Sequence, residues 1–529
     1  MATWLSIPST KLKRYSPYLA IFTLALVIRT ATAWQLAGPE GLDAEYYFLV
    51  AQNLVRGKGL IVDAIWHFLD NSLHLPHPAG EFWLLLPSLI QALGLLLGSG
   101  YRYAQMTQVI MSSALVALAF RFGRQLTNRW SDALLAAFLT LFGGFSVMVR
   151  QVDLDCYATY ALAGGMALYA MYRGQESAAW LCASGFFSGL ASLTRNDGIF
   201  LLLLLLLYLA WLSWQRVPYS RGAALVAIAL YLALMIPWWI RNWVVFGRPS
   251  PVPILYPALL REYHELFTYQ AQLTWEHFLS WGWQWQLRAK LIVAVGNAAR
   301  FAWMFQLWQV PLLAVGIWTV HRRHEVLPMI AFPLLLYLAL SLVYTFPSEH
   351  SSWLHSLSAF VPFGAAFSAL GLHTVWQWLT RHLEAIRPSV LLVAWQCTAA
   401  LLACLGGMAI AHAEIASNRS WTAGREAIAA WITAHTSPQA VIMASDPLGV
   451  TLASGRSAVA IPNNALPMVL QVADQCGAQY LVLWNQRSYA ISRELFSCLP
   501  AHSRLHQLSQ WEGVQIYGIE PVQLVEVYE

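Results

Sequence analysis

The chain has 529 residues, of which 58% are hydrophobic and 11% charged, with a mean hydropathy of +0.51; this excludes a soluble globule and implies a polytopic membrane protein. The formal net charge of +5 does not require a nucleic-acid partner, because the lysines and arginines fall in short loops between apolar runs, where membrane topology explains them. The six cysteines (Cys156, Cys182, Cys397, Cys404, Cys476, Cys498) have no C-x-x-C spacing and give no sign of a zinc site or a disulfide scaffold, with pairing of Cys476 and Cys498 left open.

The first apolar run, Tyr18 to Leu36, follows Lys11, Lys13 and Arg14 and has no small-residue cleavage site after its core. It reads as a retained first span with a cytoplasmic N-terminus, so the acidic stretch that follows lies outside. That stretch begins Gly41-Leu-Asp43-Ala-Glu45 and continues into an amphipathic run in which Tyr46, Leu49, Val50 and Leu54 share a helical face. The apolar segment Glu81–Gly98 comes next. The loop Arg121-Phe-Gly-Arg-Gln-Leu-Thr-Asn-Arg129 is strongly basic and is placed in the cytoplasm, which allows one span, not two, before it. Tyr103–Phe120 is therefore the second span, and Glu81–Gly98 is expected to lie along the outer interface or re-enter from it.

Further spans are predicted at about 131–148, 157–172, 178–193, 198–214, 223–243, 300–320, 326–345, 356–375 and 389–411, eleven in all. This alternation keeps Arg173, Arg216, Arg221, Arg322, Arg323, Arg381 and Arg387 inside. The segment 248–298, rich in Trp and Tyr, suits an outer interfacial region. Beyond residue 415 the chain changes character. Thr422–Ala434 reads as an amphipathic helix, and short strands are predicted at 440–445, 458–461, 479–484 and 513–517. The expected organisation is a transmembrane domain over 1–415 and a small outer α/β domain over 416–529. Without a G-x-G-x-x-G or P-loop, nucleotide binding by the tail is not supported.

The topology collects ionisable groups on one side: Asp43 and Glu45, Asp153 and Asp155, Arg195 and Asp197, Arg241, and the segment Ser348-Glu-His350-Ser-Ser-Trp-Leu-His355. Each has a structural explanation. Asp43 is a good helix cap, Asp197-Gly198 a turn, Arg241-Asn242 an interface anchor and His355 a helix-end histidine. Their joint placement is harder to explain that way, because charges at a membrane edge tend to mark pathways or active sites.

A carboxylate with arginine and histidine nearby suits glycosyl transfer from a lipid phosphate to a hydroxyl. The phosphate leaves as a stable anion, so one carboxylate suffices as base and fixed cations hold the leaving group. Glycosidases, which expel an alkoxide, need an acid as well. Asp43 is the expected base, with Arg195, Arg241 and His355 as candidates for the phosphate. The other reading from composition is a transporter or lipid flippase using the same outer acids; a scaffold whose tail binds a partner is a third.

The series Asp43-Ala-Glu45-Tyr-Tyr, Ala51-Gln-Asn-Leu, Arg56-Gly-Lys-Gly59, His77-Pro78, Asp153/Asp155, Leu193-Thr-Arg-Asn-Asp-Gly198 and Pro237-Trp-Trp-Ile-Arg-Asn242 resembles, in order, the first half of the GT-C glycosyltransferases. That group contains protein O-mannosyltransferases and the lipid A aminoarabinose transferase. The resemblance covers roughly residues 15–250. It implies a polyprenyl-phosphate-linked sugar donor, inversion at the anomeric carbon, a lipid, glycan or protein acceptor, and a site on the outer face of the cell's inner membrane. It carries the catalytic carboxylate onto Asp43 and the second-loop acid onto Asp155 or Asp153. Glu45, Tyr46 and His77 join the expected substrate contacts, and Asp43 with Asp155 would hold a divalent cation, Mg²⁺ or Mn²⁺, if one is used. Two departures stand out: Ala44 separates two acids that the mannosyltransferases often have adjacent, and His77-Pro78-Ala79 stands where the family often has Pro-Pro.

Overall fold

In the computed structural model, residues 9–143, 148–250, 256–346, 352–381, 388–487, 490–498 and 502–521 are described. The motif residues 348–351 and Arg387 lie outside them. A long first helix, α1 (Ser9–Ala33), leads into α2 (Leu42–Val55), the helix that carries Asp43 and Glu45 in its first turn. The loop after it forms three two-residue strands, β1 (Ile61–Val62), β2 (Ala64–Ile65) and β3 (His77–Pro78). Next is α3 (Leu86–Leu95), whose ten residues rise roughly 15 Å, half of a hydrocarbon core. It packs on α2 and α4 (Tyr101–Thr127) and does not span, in keeping with the single crossing allowed between the acidic and basic loops.

The helical bundle continues through α5 (Trp130–Leu141), α6 (Tyr157–Arg173), α7 (Ala178–Thr194), α8 (Ile199–Trp214) and α9 (Arg221–Phe246). Two short helices, α10 (Tyr256–Leu259) and α11 (Trp275–Ser280), precede α12 (Trp283–Met304) and α13 (Gln309–Val320). The last membrane group is α14 (Leu327–Val343), α15 (Trp353–Leu357) and α16 (Val361–Thr380), followed by α17 (Pro388–His435). Against the eleven spans expected, seven helices among the described residues are long and apolar enough to cross a bilayer, or up to eight if the bent α12–α13 pair is one span, while α5 and α7 are shorter apolar helices. The chain is a multi-pass membrane protein.

The expected continuous span at 300–320 is corrected here. α12 and α13 meet at a bend of 90°, where Gln306 and Leu307 take positive φ and the Gln306 amide donates to the carbonyls of Phe142 and Ala403. The apolar composition runs through the break, so hydropathy cannot detect it. α13 crosses α16 backbone to backbone. A methyl at Gly316 would run into the Phe367 carbonyl, and one at Gly371 into the Leu312 carbonyl, so both positions must be glycine for so close a crossing.

α17 is a single helix of 48 residues, roughly 72 Å long, and passes unbroken through the boundary expected at 415/416. Beyond it lie β4 (Val441–Ala444), α18 (Pro447–Ser454), β5 (Ser457–Ala460), α19 (Leu466–Cys476), β6 (Ala478–Trp484), α20 (Ala490–Ser497), β7 (Leu505–Trp511) and β8 (Val514–Ile519). The four predicted strands are present as β4, β5, β6 and β8. Two further strands complete a six-stranded sheet of order β2-β5-β4-β6-β8-β7. β7 is an antiparallel edge, and β2 comes from the loop after α2, pairing parallel with β5 at Ala64↔Ala458 and Ile65↔Val459. Tail and first loop also share one apolar core, in which Tyr46, Trp66, Phe68 and Trp83 pack with Met443, Leu448, Val459 and Leu481. All six cysteines are unpaired, Cys476 and Cys498 included.

Candidate active site

Four chain segments converge on Asp43. α2 supplies Asp43 from its first turn, the α5–α6 connection supplies Asp155, the C-terminus of α7 supplies Arg195, and α15 supplies His355. Arg195 Nη1 lies 3.6 Å from Asp43 Oδ2, and His355 Nε2 lies 3.9 Å from the same oxygen and 3.3 Å from Asp155 Oδ2. Arg195 also donates to Asp197 Oδ1 at 3.2 Å, Ser352 Oγ at 2.9 Å and Cys156 Sγ at 3.5 Å. Its planar fork is thus held by three partners while one nitrogen faces Asp43. The His355 ring stacks on Tyr157, with centroids 4.2 Å apart.

The Asp43 side chain is 24% exposed, against 8% for Asp155. It opens on a cavity of about 90 Å³ walled by Trp66, Phe82, Trp83, Tyr263, Tyr344 and Phe346, with Arg195 and His355 in its lining. Trp66 and Trp83 stack at 3.9 Å. Burial, then the charge on Asp155, push the Asp43 carboxyl up to about 6, against His355, Arg195 and a backbone amide, which favour the anion. Asp155 moves the other way. Burial alone would raise it, but the charge and hydrogen bond of His355 and the amide of Cys156 hold it at about 2. Two neighbouring carboxyls are therefore driven apart, one a permanent anion and the other a stronger base than an ordinary aspartate.

The structure thus brings together Asp43, Asp155, Arg195 and His355 of the residues expected from the sequence. It separates the other five. Glu45 is two positions from Asp43, about 200° around the helix, and its buried carboxylate pairs with Arg425 on α17 at 2.8 Å. The Tyr46 hydroxyl donates to Glu81 and accepts from the Gly80 amide. His77, on β3, pairs with Asp70 at 3.2 Å. Asp153 accepts from the amides of Glu40 and Leu154, and burial lifts it to about 7. Arg241 lies over the rings of Trp238 and Phe246 and donates to Asn242. In each case another partner, invisible to topology, takes up the polar group.

Cys156, Ser352 and the Trp66–Trp83 pair are not among the site residues expected from the sequence, and Asp197 is expected among the outer ionisable groups but given no role in the site. The spacing gave a signal for two of them: Asp197 is two residues past Arg195, and Ser352 one turn before His355.

Asp43, Asp155, Cys156 and His355 offer donor atoms within 4.8 Å of one another. This set does not suit Mg²⁺ or Mn²⁺, which favour oxygen shells. Two of the four donors are an imidazole and a thiol, and burial followed by the charge of Asp155 pushes that thiol's pKa well up. The Arg195 guanidinium, 3.5 Å from the sulfur and 3.6 Å from Asp43, already supplies positive charge there, and no step below is assigned to a metal.

Residues 77–241 match the family described as dolichyl-phosphate-mannose-protein mannosyltransferase. No curated protein matches the chain. Among solved structures it is similar to ArnT from Cupriavidus metallidurans bound to undecaprenyl phosphate, with 13% identity over 95% of this chain and 98% of that one, at a TM-score of 0.59. The apo form of ArnT matches with 14% identity over 96% and 98%, at 0.62. The fold is that of the GT-C membrane glycosyltransferases. A third GT-C neighbour is the archaeal oligosaccharyltransferase AglB from Archaeoglobus fulgidus, in complex with an inhibitory peptide and a dolichol-phosphate, with 14% identity over 89% of this chain and 69% of that one, at 0.58. The family segment contains Asp155 and Arg195 but neither Asp43 nor His355. Those two join the cluster with Asp155 and Arg195 through the geometry alone.

Proposed function

We propose that the protein transfers a glycosyl group from a polyprenyl-phosphate carrier to an acceptor hydroxyl, with Asp43 as general base. The observation that carries this reading is a base-tuned carboxylate on an aromatic-walled cavity, with a fixed guanidinium 3.6 Å and an imidazole 3.9 Å from one of its oxygens. Asp43 takes the acceptor proton as the acceptor oxygen bonds to the anomeric carbon. The carbon–oxygen bond to the carrier breaks on the opposite face, its electron pair leaving on the phosphate, which gives inversion. Arg195 is suited to stabilise that departing charge. Asp155 holds His355 in place. ArnT bound to undecaprenyl phosphate and AglB in complex with a dolichol-phosphate support the carrier class.

The site is assigned to the extracytoplasmic face of the inner membrane, together with the tail. Supporting this, Arg124 and Arg129, Arg173, Arg216 and Arg323 stand at the far ends of α4, α6, α8 and α13 from the turn that carries Asp43. The acceptor is a hydroxyl of a lipid, glycan or protein. A transporter or flippase would string its acids along a two-sided path; here they form one cluster beneath a set of rings.

Purified protein in lipid nanodiscs, given a panel of polyprenyl-phosphate sugars, is expected to release carrier phosphate in the presence of acceptor. Asp43→Asn should reduce kcat by about 10²- to 10⁴-fold without unfolding the protein. A folded Asp43→Asn enzyme with near-native transfer would refute the assignment, as would release from none of the donors.

A further inference from the structure

α2 bears two carboxylates in its first turn, and the function above uses only one. Glu45 is completely buried on the opposite face and meets Arg425 of α17, whose side chain is 5% exposed, at 2.8 Å. The same Nη1 donates to the carbonyl of Pro39 at 3.1 Å. Two turns earlier on the same face of α17, Asn418 brackets the connection into α2: its Oδ1 accepts from Ala37 N at 2.8 Å, and its Nδ2 donates to the Gly38 carbonyl at 3.0 Å. Arg419 adds a bond to the Gln35 carbonyl at 3.0 Å. Gly38 leaves the room this requires, since a methyl there would stand 2.9 Å from Arg425 Nη2.

On the other side of α2, the loop leading to Trp66 is tied to the tail as well. The Ala458 amide and the Thr451 hydroxyl both donate to the carbonyl of Asp63. The segment that presents Asp43 is therefore held at its entry, its first turn and its exit by residues at least 380 positions later in the chain.

We infer that Arg425, through Glu45, is a positioning residue that fixes α2 so that Asp43 meets Arg195 and His355, and that the C-terminal region serves as the clamp of the catalytic loop. This rests on the assignment of Asp43 as base. A buried ion pair is a poor way to gain stability compared with apolar packing, but removing one partner alone is damaging. The arrangement therefore makes sense as a device that fixes register. A misplacement of about 1 Å at a reacting group lowers a rate by roughly a hundredfold.

The test is the double variant Glu45→Leu/Arg425→Met, which replaces the charge pair with apolar side chains and leaves neither charge stranded, run beside Arg425→Lys and Asp43→Asn in nanodiscs with the polyprenyl-phosphate sugar that the native protein turns over best. Two readouts are taken: steady-state kinetics and hydrogen–deuterium exchange over residues 35–49. The double variant is expected to stay folded, to lose about a hundredfold in kcat with donor KM within about threefold, and to exchange faster over that segment. Arg425→Lys, which keeps one contact, should fall between. A folded double variant with kcat within twofold of native overturns the clamp, and so does a loss of kcat with unchanged exchange. Failure of the base assignment is read separately, as activity in Asp43→Asn, and leaves the exchange result to decide the clamp.

Discussion

Asp155→Asn tests the electrostatics of the site most directly. Asp43 sits at about 6, and the second contribution to that elevation, after burial, is the charge on Asp155. Oxygens at most 4.8 Å apart repel by roughly 3.5 kcal/mol at an effective dielectric constant of about 20. The rise of Asp43 from its ordinary 3.8 to about 6 corresponds to roughly 3 kcal/mol, so Asp155 is strong enough to account for much of it. Burial remains in the variant, and Asp43 keeps its contacts with Arg195 and His355. The net result should be a fall of one to two pH units, to between about 4 and 5.

A general base works only when deprotonated, so activity is present above its pKa and lost as pH falls through it. The native enzyme should therefore lose kcat on the acid side with a midpoint near 6. Asp155→Asn should have a lower plateau, because His355 loses its 3.3 Å partner, but an acid limb displaced to lower pH. The assay is kcat for carrier-phosphate release between pH 4 and 9. An acid limb in Asp155→Asn that stays near 6 or moves upward would show that the two carboxyls do not share a field, and the site's logic would fail.

The same shifts have opposite consequences for stability. Asp43 is raised, so above pH 6 its buried charge weighs against the fold, and Asp43→Asn should raise the melting temperature at pH 7.5, by the equivalent of up to about 3 kcal/mol. Asp155 is depressed to about 2, so its contribution of roughly 2 kcal/mol is present above pH 4 and lost as pH falls toward 2, and Asp155→Asn should lower the melting temperature at pH 7.5. Thermal scanning fluorimetry of the two variants side by side decides this; the reverse order contradicts it. Arg195→Lys keeps the charge but not the fork that reaches Asp43, Asp197 and Ser352. It should lose about tenfold to a hundredfold in kcat, read from initial rates, and a native rate would remove Arg195 from the mechanism.

Composition and charge parity grouped Asp43, Asp155, Arg195 and His355 at one end of the bundle, where the structure brings them together although they are spread over 300 positions. Those signals report depth along a helix and which side of the membrane a loop faces. They say nothing about azimuth or lateral neighbours, which is why Arg241 and His77 were grouped with Asp43 although Trp238 and Asp70 claim them. The bend at Gln306 escaped for a related reason, since an apolar stretch reads the same whether straight or folded at 90°. The polar residues after 411 looked like the end of a span, but α17 continues through them, because helix continuity depends on local propensity and packing rather than on hydropathy. β2 is two residues long and acquires its identity only from β5, so nothing local could reveal it.

Ala44 is the residue that assigns different roles to the two acids beside it. With the carboxylates adjacent, 100° apart, both would face the same cleft and compete for one set of cations; one intervening residue doubles the angle and sends them to opposite sides of α2. Each then meets a different arginine: Arg195 from the end of α7 for Asp43, and Arg425 from α17 for Glu45. The pairings differ in tightness, 3.6 Å against 2.8 Å, and in exposure, 24% for Asp43 against none for Glu45. The tight, buried pair resists movement, as a register contact should. The loose pair on the cavity leaves its carboxylate able to take a proton, as a base must. The prediction is that inserting a carboxylate at the intervening position, Ala44→Asp, adds an unpaired charge among Phe48, Leu95 and Leu154 and impairs folding, whereas Ala44→Ser does not; comparable expression and melting temperature for both would show that the helical face of the acids is not what separates them.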